Sequence, residues 1–364
     1  MNAMSTMNTT HAMHTTVTDP MTTDPMTPMA TDATATGAAN TAAVRERSRA
    51  PGPDTAERVR REGRLRAVVS RGIRGLSALE ADGRWRGLDV DVSRAVAAAV
   101  LGDADAVDWL PTDPADRLER LAAGDADLVA CNLSWTLGRE TGGPVLFAGV
   151  TCYDGEGFLV RTAAGFTDPA ELAGRRLAVQ AGTTSAANLA AWYGARGLAV
   201  EPVAYPTPGE ALAAYAAGDC AAYVLDRIAL AGARAELADP SAHSLLETTI
   251  SREPMALAVR DDDAGWFRIC RWVFQFLLTA EHAAHGAENA EAAAGASAEA
   301  ARTADALGPA LGLDDGWATR ILRSVGTYGD IYERNLGPAS GLAVPRGLNA
   351  LWLDGGLHYA IPAY

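Results

Sequence analysis

The sequence predicts an α/β protein in which two series of alternating strands and helices form two mostly parallel sheets. Three observations indicate this fold. Apolar strand-like runs alternate with helical segments from residue 53 onward, and a second such series begins at Asp168. The strand EPMALAVR at 253–260 then returns to the first series. The third observation is the length, because 364 residues suffice for two domains of ordinary size.

The first series opens with a short helix in DTAERVRREGR. Ligands gather at the carboxyl ends of parallel strands, and the loops that begin at Ser70 and Cys131 occupy such ends. The predicted elements are a strand at 65–69, a loop at 70–78, a helix that ends at Gly102, a strand at 107–110, a helix at 114–123 and a strand at 127–130.

The second series follows a Gly-flanked Glu156 and a Phe/Leu/Val strand, a segment that fits a crossing between domains. Its predicted elements are a helix at 168–172, a strand at 175–180, a helix at 186–196, a strand at 200–203, a helix at 208–217 and a strand at 221–225.

The C-terminal part is predicted to be helical. The segment 266–278 is too short and too charged to span a bilayer, so we expect a buried packing helix. Residues 283–304 are rich in Ala and Glu with little apolar periodicity, which fits a solvent-facing helix or a flexible insert. Order returns from Trp317 onward.

The N-terminal residues 1–52 are rich in Met, Thr, Ala and Pro, and we expect a disordered low-complexity tail. This segment lacks an apolar stretch behind a basic start and a lipid-attachment cysteine, so it does not read as a signal peptide.

Composition excludes several classes of function. A formal net charge of −14 disfavours nucleic acid and anionic lipid surfaces as partners. The four cysteines form no CxxC pair, and the pairs His11/His14 and His282/His285 lack further ligands, so we expect no metal site. Neither a phosphate loop nor a dinucleotide fingerprint is present, and we expect no cofactor.

The stretch CNLSWTLGRET at 131–141 carries the most specific chemistry. Ser134 and Thr136 offer hydroxyl groups, and the Arg139 guanidinium is a planar fork that matches a carboxylate in two parallel bonds. Following a buried strand, this combination predicts a receptor for a small carboxylate. The alternative for these residues is an ordinary Ser/Thr turn with a solvated surface arginine.

Two further features suit a small charged ligand. Gly182, Thr183 and Thr184 precede a helix, whose free backbone amides favour an anion. Asp226 stands at the end of a strand, although taken alone it would more often be a helix N-cap or a surface charge.

Six segments together resemble the general L-amino-acid-binding proteins of polar amino-acid ABC importers, within the family 3 extracellular solute-binding proteins. The resemblance covers about residues 60–362. The segments are GLDVDVSRAVAAAVLGD, NLSWTLGRET, YDGEGFLVR, VQAGTT, VGTYGDIYERNLG and RGLNALW, in this order.

The resemblance implies two lobes that clamp an α-amino acid in a cleft by hinge closure. Lobe 1 would comprise residues 53–157 and 256–364, the latter including a helical C-terminal extension, and lobe 2 residues 158–255. By the family pattern Ser134 and Arg139 hold the ligand carboxylate, Thr183 and Thr184 add contacts, and Asp226 holds the ammonium group. An ABC permease is a possible partner.

Other positions depart from the family pattern. The family's Arg before Asn is Cys131 here, the aromatic residue before Tyr153 is Cys152, and the usual Gln is Glu156. The loop after the first strand carries Ser70, Arg71 and Arg74 in place of the usual residues. A possible pocket for the ligand side chain is formed by Ser70, Arg71, Cys131, Cys152 and Glu156. The identity of the bound amino acid stays open.

A disulfide that relatives carry in lobe 2 is also incomplete. This chain keeps Cys220 but has Ala178 at the partner position. The missing partner and the lack of a signal peptide agree with each other and suit a reducing compartment. For the chain as given we therefore expect a cytoplasmic location, although the family is extracytoplasmic.

Two functions remain open at this point. The first is an amino-acid receptor without chemistry, the solute-binding component of an ABC transporter. The second is a cytosolic dehydratase- or lyase-like enzyme on the same scaffold, acting on an amino-acid-like or prephenate-like substrate, as the cyclohexadienyl dehydratases of this fold do. There Glu156 would be a general acid and Cys131 a nucleophile. We favour the receptor.

Overall fold

The structure, a computed structural model, describes residues 54–363. The tail expected at residues 1–52 lies outside the described residues. The described chain forms two five-stranded sheets and a short hairpin. We call each five-stranded sheet with its helices a lobe, and the two-lobed α/β fold predicted from the sequence is confirmed.

The first lobe is built on a sheet with the strand order β4-β1-β5-β12-β6. Its strands are β1 (Leu65–Val69), β4 (Val107–Pro111), β5 (Leu128–Val129), β6 (Val145–Asp154) and β12 (Glu253–Arg260). The hairpin strands β2 (Ala78–Leu79) and β3 (Trp85–Arg86) stand beside it. β1 runs parallel to both of its neighbours, which brings the loops after β1, β4 and β5 to one edge.

The second lobe is built on a sheet with the order β11-β7-β10-β8-β9. Its strands are β7 (Glu156–Arg161), β8 (Arg176–Gln180), β9 (Glu201–Tyr205), β10 (Ala222–Asp226) and β11 (His243–Leu245). β8 is parallel to β9 and β10, so the turns after these three strands also share an edge.

The sheets are mixed, so the expectation of mostly parallel sheets is wrong. In each five-stranded sheet two of the four pairings are antiparallel. The reason is the connection between the lobes. β6 and β7 carry the chain from one sheet to the other with only Gly155 between them, and β12 brings it back against β6 in the opposite direction.

The helices of both series flank the sheets, and each begins after a glycine or a polar N-cap residue. They are α1 (Thr55–Glu62), α2 (Leu88–Leu101), α3 (Arg117–Ala123), α4 (Leu137–Thr141), α5 (Ser185–Gly194), α6 (Pro208–Ala217) and α7 (Arg227–Glu236). α2 is buried along nearly its whole length, because its small Ala and Val side chains allow close packing on all sides.

The C-terminal helices are α8 (Ala264–Ala284), α9 (Ala290–Leu311), α10 (Trp317–Ser324) and α11 (Tyr328–Asn335). α8 is the expected buried packing helix, and the Trp266 indole donates to the Asp127 carbonyl at 2.8 Å. No helix in residues 54–363 is long and apolar enough to cross a membrane.

α9 corrects the expectation of a solvent-facing helix or flexible insert at residues 283–304. It buries a stripe of small residues, and Ser297 donates to the Ala280 carbonyl of α8 at 2.8 Å. Ala301 and Ala304 belong to the same buried stripe. The apolar periodicity is weak because alanine, the main residue of the stripe, also fills the exposed face.

Candidate functional site

Loops from both sheets meet at one place between the lobes. Asn132, which follows β5, donates through its side-chain amide to the Asp226 carboxylate at the end of β10 over 3.2 Å. The turn after β8 also reaches the first lobe, since a Cβ at Gly182 would lie 3.4 Å from the Ala115 nitrogen. The two lobes are therefore in contact around the residues that the sequence singled out.

Arg139 is fixed within the short helix α4. Thr136 caps this helix, and its hydroxyl accepts the backbone N–H of Arg139 at 3.2 Å. Guanidinium Nη1 donates to the Ser134 carbonyl at 2.7 Å, which sets the direction of the fork. Burial lowers the pKa of Arg139, yet arginine keeps its charge in proteins. The site thus contains one half-buried, oriented cation.

Ser134 donates its hydroxyl to the carboxylate of Glu253, the first residue of β12. Glu253 is 4% exposed and accepts two more bonds, from the Ser251 hydroxyl at 2.7 Å and the Asn188 amide at 2.9 Å. These three donors satisfy a carboxylate that burial would otherwise penalise. Sequence reasoning missed Glu253, whose only signal is an acidic residue opening an apolar strand.

Glu156 is 2% exposed at the start of β7. Its Oε2 accepts from the Asn188 amide at 2.7 Å, while Oε1 is buried without a hydrogen-bond partner among the described residues. Burial raises the pKa of Glu156 to about 7, against the opposing hydrogen bonds of Ser185 and Asn188. Asn188, also missed from the sequence, therefore joins two buried carboxyl groups with one side chain.

The second lobe presents the N-terminus of α5 to the cleft. The Thr183 hydroxyl donates to the Gln180 carbonyl at 2.7 Å and so closes the turn that precedes the helix. Thr184 is the N-cap residue, and its side chain makes no capping bond. A helix N-terminus of this kind favours a negatively charged group, because its first amides point outward along the helix dipole.

Asp226 ends β10 and does not use its side chain to cap α7, the alternative weighed for it above. Burial raises the pKa of Asp226, and the nearby Glu253 raises it further, while Arg117 and Arg139 lower it. The carboxylate of Asp226 and the guanidinium of Arg139 thus face a common space from different lobes.

Two charged residues of this region were not recognised in the sequence. Asp89, near the start of α2, accepts the backbone N–H of Asn132 at 2.9 Å, and Asn132 has a positive φ of 46°. Burial raises the pKa of Asp89 to about 7. Arg117 is 4% exposed and donates to the Cys131 carbonyl at 2.7 Å. Together they fix the loop that carries Asn132.

The expected side-chain pocket is only partly assembled. Ser70 is buried and bonded to Ser77, whereas Arg71 is exposed and pairs with Asp113 at 2.8 Å. Glu156 lies next to Glu253, because both carboxyl groups accept from the Asn188 amide.

Cys131 and Cys152 pack in hydrophobic clusters. Cys131 is 1% exposed, and burial raises the pKa of its thiol to about 12, so it does not fit the nucleophile of the enzymatic alternative. Cys152 faces Met255 of β12 within the first lobe. Both thiols are buried in the core of the structure, so neither is exposed in the expected pocket.

The site is suited to binding two opposite charges in one small ligand. The described residues contain no cluster of His, Cys, Asp and Glu arranged to hold a metal ion.

Comparison with known proteins places these features in a family. A sequence model of the bacterial extracellular solute-binding proteins, family 3, matches residues 65–337. The general L-amino acid-binding periplasmic protein AapJ of Rhizobium johnstonii is 37% identical over 331 residues, which cover 89% of this chain and 97% of the relative.

Two further similar proteins are also binding proteins. The glutamate/glutamine/aspartate/asparagine-binding protein BztA of Rhodobacter capsulatus is 36% identical over 323 residues, covering 86% of this chain and 94% of the relative. A periplasmic binding protein of an ABC transporter from Brucella ovis, solved with glutathione bound, superposes with a TM-score of 0.79. It is 37% identical, and the match covers 86% of this chain and all of that one.

Proposed function

The chain belongs to the bacterial extracellular solute-binding proteins of family 3, and on that premise we propose that it binds an α-amino acid between its lobes. One observation carries the proposal. A half-buried Arg139 from the first lobe lies near a half-buried Asp226 from the second, since Asp226 accepts from Asn132 of the first lobe at 3.2 Å and the charges of Arg139 and Asp226 shift each other's pKa. This opposed pair matches the carboxylate and the ammonium group of one zwitterion.

In the proposed complex the ligand carboxylate accepts from the Arg139 fork and from the amides at the start of α5. The Thr183 and Thr184 turn adds contacts from the second lobe. The ammonium group donates to the Asp226 carboxylate, which within residues 54–363 accepts one side-chain hydrogen bond, from Asn132 at 3.2 Å. Closing the lobes around the ligand removes these charges from water, which strengthens each interaction.

We propose further that the protein delivers its ligand to an ABC permease. The relatives support this proposal, since AapJ is a general L-amino acid-binding periplasmic protein and BztA is a glutamate/glutamine/aspartate/asparagine-binding protein. The hinge of this movement would lie at Gly155 and at residues 246–252, where the chain passes between the two sheets. A Cβ at Gly155 would lie 2.1 Å from the Thr249 side chain, so the two passages pack directly on each other.

The enzymatic alternative is less well supported. Its proposed nucleophile, Cys131, is a core residue, and the relatives named above are binding proteins. Glu156 alone keeps a property of a general acid, a pKa of about 7. Mass spectrometry of prephenate and amino acids incubated with wild type and Glu156→Gln would reveal turnover; we expect unchanged compounds with both.

Calorimetry with the twenty L-amino acids tests the proposed function. We expect at least one to bind below millimolar, and Asp226→Asn to weaken it about 30-fold or more, because a buried charge then lacks its partner. The matched control is Asp82→Asn, which alters an exposed pair with Arg86. Absence of binding by all twenty, or equal binding by both variants, would contradict the proposal.

A further inference from the structure

Two oxygen atoms next to Asp226 are buried and have no hydrogen-bond partner among residues 54–363. One is Oε1 of Glu156, whose other oxygen accepts from the Asn188 amide at 2.7 Å. The second is the side-chain oxygen of Asn132, whose amide nitrogen donates to Asp226 at 3.2 Å. Buried polar atoms in folded proteins almost always have a partner, so each of these oxygens calls for a donor from a bound ligand or from water.

The strand pairing places Glu156 beside Asp226. β7 and β10 are antiparallel, and Glu156 stands directly opposite Asp226 in their register. Residues opposite each other in such a pair point to the same face of the sheet, with Cβ atoms about 4.5–5.5 Å apart. The two carboxyl groups are therefore neighbours, and burial together with the charge of Asp226 raises the pKa of Glu156.

Asn132 reaches the same place from the first lobe. Its backbone is fixed, because its N–H donates to Asp89 at 2.9 Å. The nitrogen and the oxygen of its side chain belong to one planar amide, so the unpaired oxygen lies next to the hydrogen bond with Asp226. Three acceptors from both lobes therefore surround one position: a carboxylate oxygen of Asp226, Oε1 of Glu156 and the side-chain oxygen of Asn132.

The number and the kind of these groups match a primary ammonium. Such a group carries a positive charge and three N–H donors, and it accepts no hydrogen bond. Two of the three acceptors are carboxylates, which make the stronger hydrogen bonds with a cation. A secondary ammonium, as in proline, has only two N–H donors and would leave one buried acceptor without a partner.

We propose that Glu156, Asp226 and Asn132 form a three-acceptor ammonium site, which selects primary over secondary amines. Each acceptor takes one N–H of the ligand. The ligand class is therefore an α-amino acid with an unsubstituted ammonium group, and proline and Nα-methyl amino acids are excluded. This inference rests on the proposed function, which assigns the ammonium group to Asp226 and gives Glu156 and Asn132 no contact with the ligand.

Calorimetry at pH 8, above the Glu156 pKa of about 7, tests the selection. The probes are the twenty L-amino acids and the Nα-methyl derivative of the one that binds most tightly. We expect methylation to weaken binding to wild type about 30-fold or more, because one N–H to a buried acceptor is lost. L-proline should bind more weakly than the tightest primary amino acid by a similar factor.

Two variants separate hydrogen bonding from simple crowding by the methyl group. Glu156→Ala removes one acceptor, and Asn132→Gly removes another at a position whose φ of 46° suits glycine. Each should weaken the tightest amino acid about tenfold and reduce the effect of methylation to about threefold or less. If crowding alone excluded the methyl group, the unmethylated amino acid would bind both variants like wild type.

The matched control is Glu281→Ala in α8. Glu281 also has one buried oxygen without a hydrogen-bond partner in the described part of the chain, but its carboxylate pairs with Arg346 at 2.9 Å. This variant should bind both probes like wild type. Thermal unfolding checks that each variant is folded. Glu156→Gln, which keeps an oxygen without the charge, should lose less affinity than Glu156→Ala and replaces it if the latter does not fold.

Three results would overturn the three-acceptor site while leaving amino-acid binding intact. They are L-proline as the tightest of the twenty, methylation without effect on wild type, and an unchanged affinity of either acceptor variant for the unmethylated amino acid. The last result would mean that water pairs with these oxygens. Failure of all twenty amino acids to bind would instead count against the proposed function.

Discussion

Gly232 of α7 lies directly beneath the carbonyl of Arg74, so that a Cβ at position 232 would stand 2.6 Å from the Arg74 oxygen. The contact joins a second-lobe helix to a first-lobe loop. Real Cβ atoms essentially never approach a backbone atom this closely. The absence of a side chain at Gly232 is thus a condition for the lobes to close as they do in the structure.

We therefore expect Gly232→Ala to weaken ligand binding about tenfold, because the added methyl group opposes closure. The control is Gly295→Ala in α9, where a Cβ would meet nothing within 4 Å. That change should raise the free energy of unfolding by about 0.5–1 kcal/mol and leave affinity unchanged. Calorimetry and thermal unfolding measure both; unchanged binding by Gly232→Ala would show that closure does not need this contact.

The pH dependence of stability should reflect Glu156. Its pKa is about 7 in the folded protein, above the ordinary value of 4.5, so the folded state binds more protons than the unfolded state between these values. Stability of the unliganded protein then falls as the pH rises from about 5 to about 8. Asp89 and Asp226, whose pKa values are also raised, act in the same direction.

Glu156→Gln should remove part of this fall, up to about 3 kcal/mol, and stabilise the protein at pH 8. Glu253, Asp226, Ser185 and Asn188 face the same group and are left in place. Chemical denaturation at pH 5, 6.5 and 8 measures the effect, with the exposed Glu288→Gln as the matched control. A variant whose stability changes with pH as steeply as that of wild type would show that Glu156 is ionised throughout.

Ligand affinity should change with pH in the opposite sense. Asp226 must be ionised to bind an ammonium group, and burial and Glu253 raise its pKa. We expect affinity to fall as the pH drops from 8 to 5, by at most tenfold per pH unit for one proton. Calorimetry across this range measures it; a constant affinity would mean that the ligand cation does not bind to Asp226.

α9 offers a test of packing. Ala301 is 1% exposed against α8, so Ala301→Leu should destabilise the protein by about 1–3 kcal/mol through overpacking. Ala294 lies on the exposed face of the same helix, and Ala294→Leu should change stability by less than about 0.5 kcal/mol. Urea denaturation compares the two; equal effects would place the buried face elsewhere.

Much of the fold followed from local pattern. The strand at 65–69, the helix at 208–217 and the strand at 253–260 have the predicted bounds, because glycine, proline, serine or a charged residue marks each end. The strands β2, β3, β6 and β11 and the helix α4 were missed. β6 and β11 depend on partners distant in sequence, because β6 pairs with β12 and β11 with β7, whereas β2, β3 and α4 are short.

Some residues of the candidate site were also predicted from the sequence, and others were not. Arg139 and Asp226 were identified because a cation after one strand and a carboxylate after another are visible as residue types. Glu253 and Asn188 were not, since an acid at a strand start and an amide on a helix have ordinary alternatives. Only their shared hydrogen bonds, made across 65 positions of sequence, reveal a role.

One side chain of α5 bonds to both strands that connect the lobes. Asn188 of α5 bonds to Glu156 at the start of β7 and to Glu253 at the start of β12. A ligand that accepts from the amides of α5 would therefore bind next to the helical turn whose Asn188 bonds to both connecting strands. The ligand and the hinge are mechanically coupled through one helical turn, and twisting either strand would shift the anion-binding end of that helix.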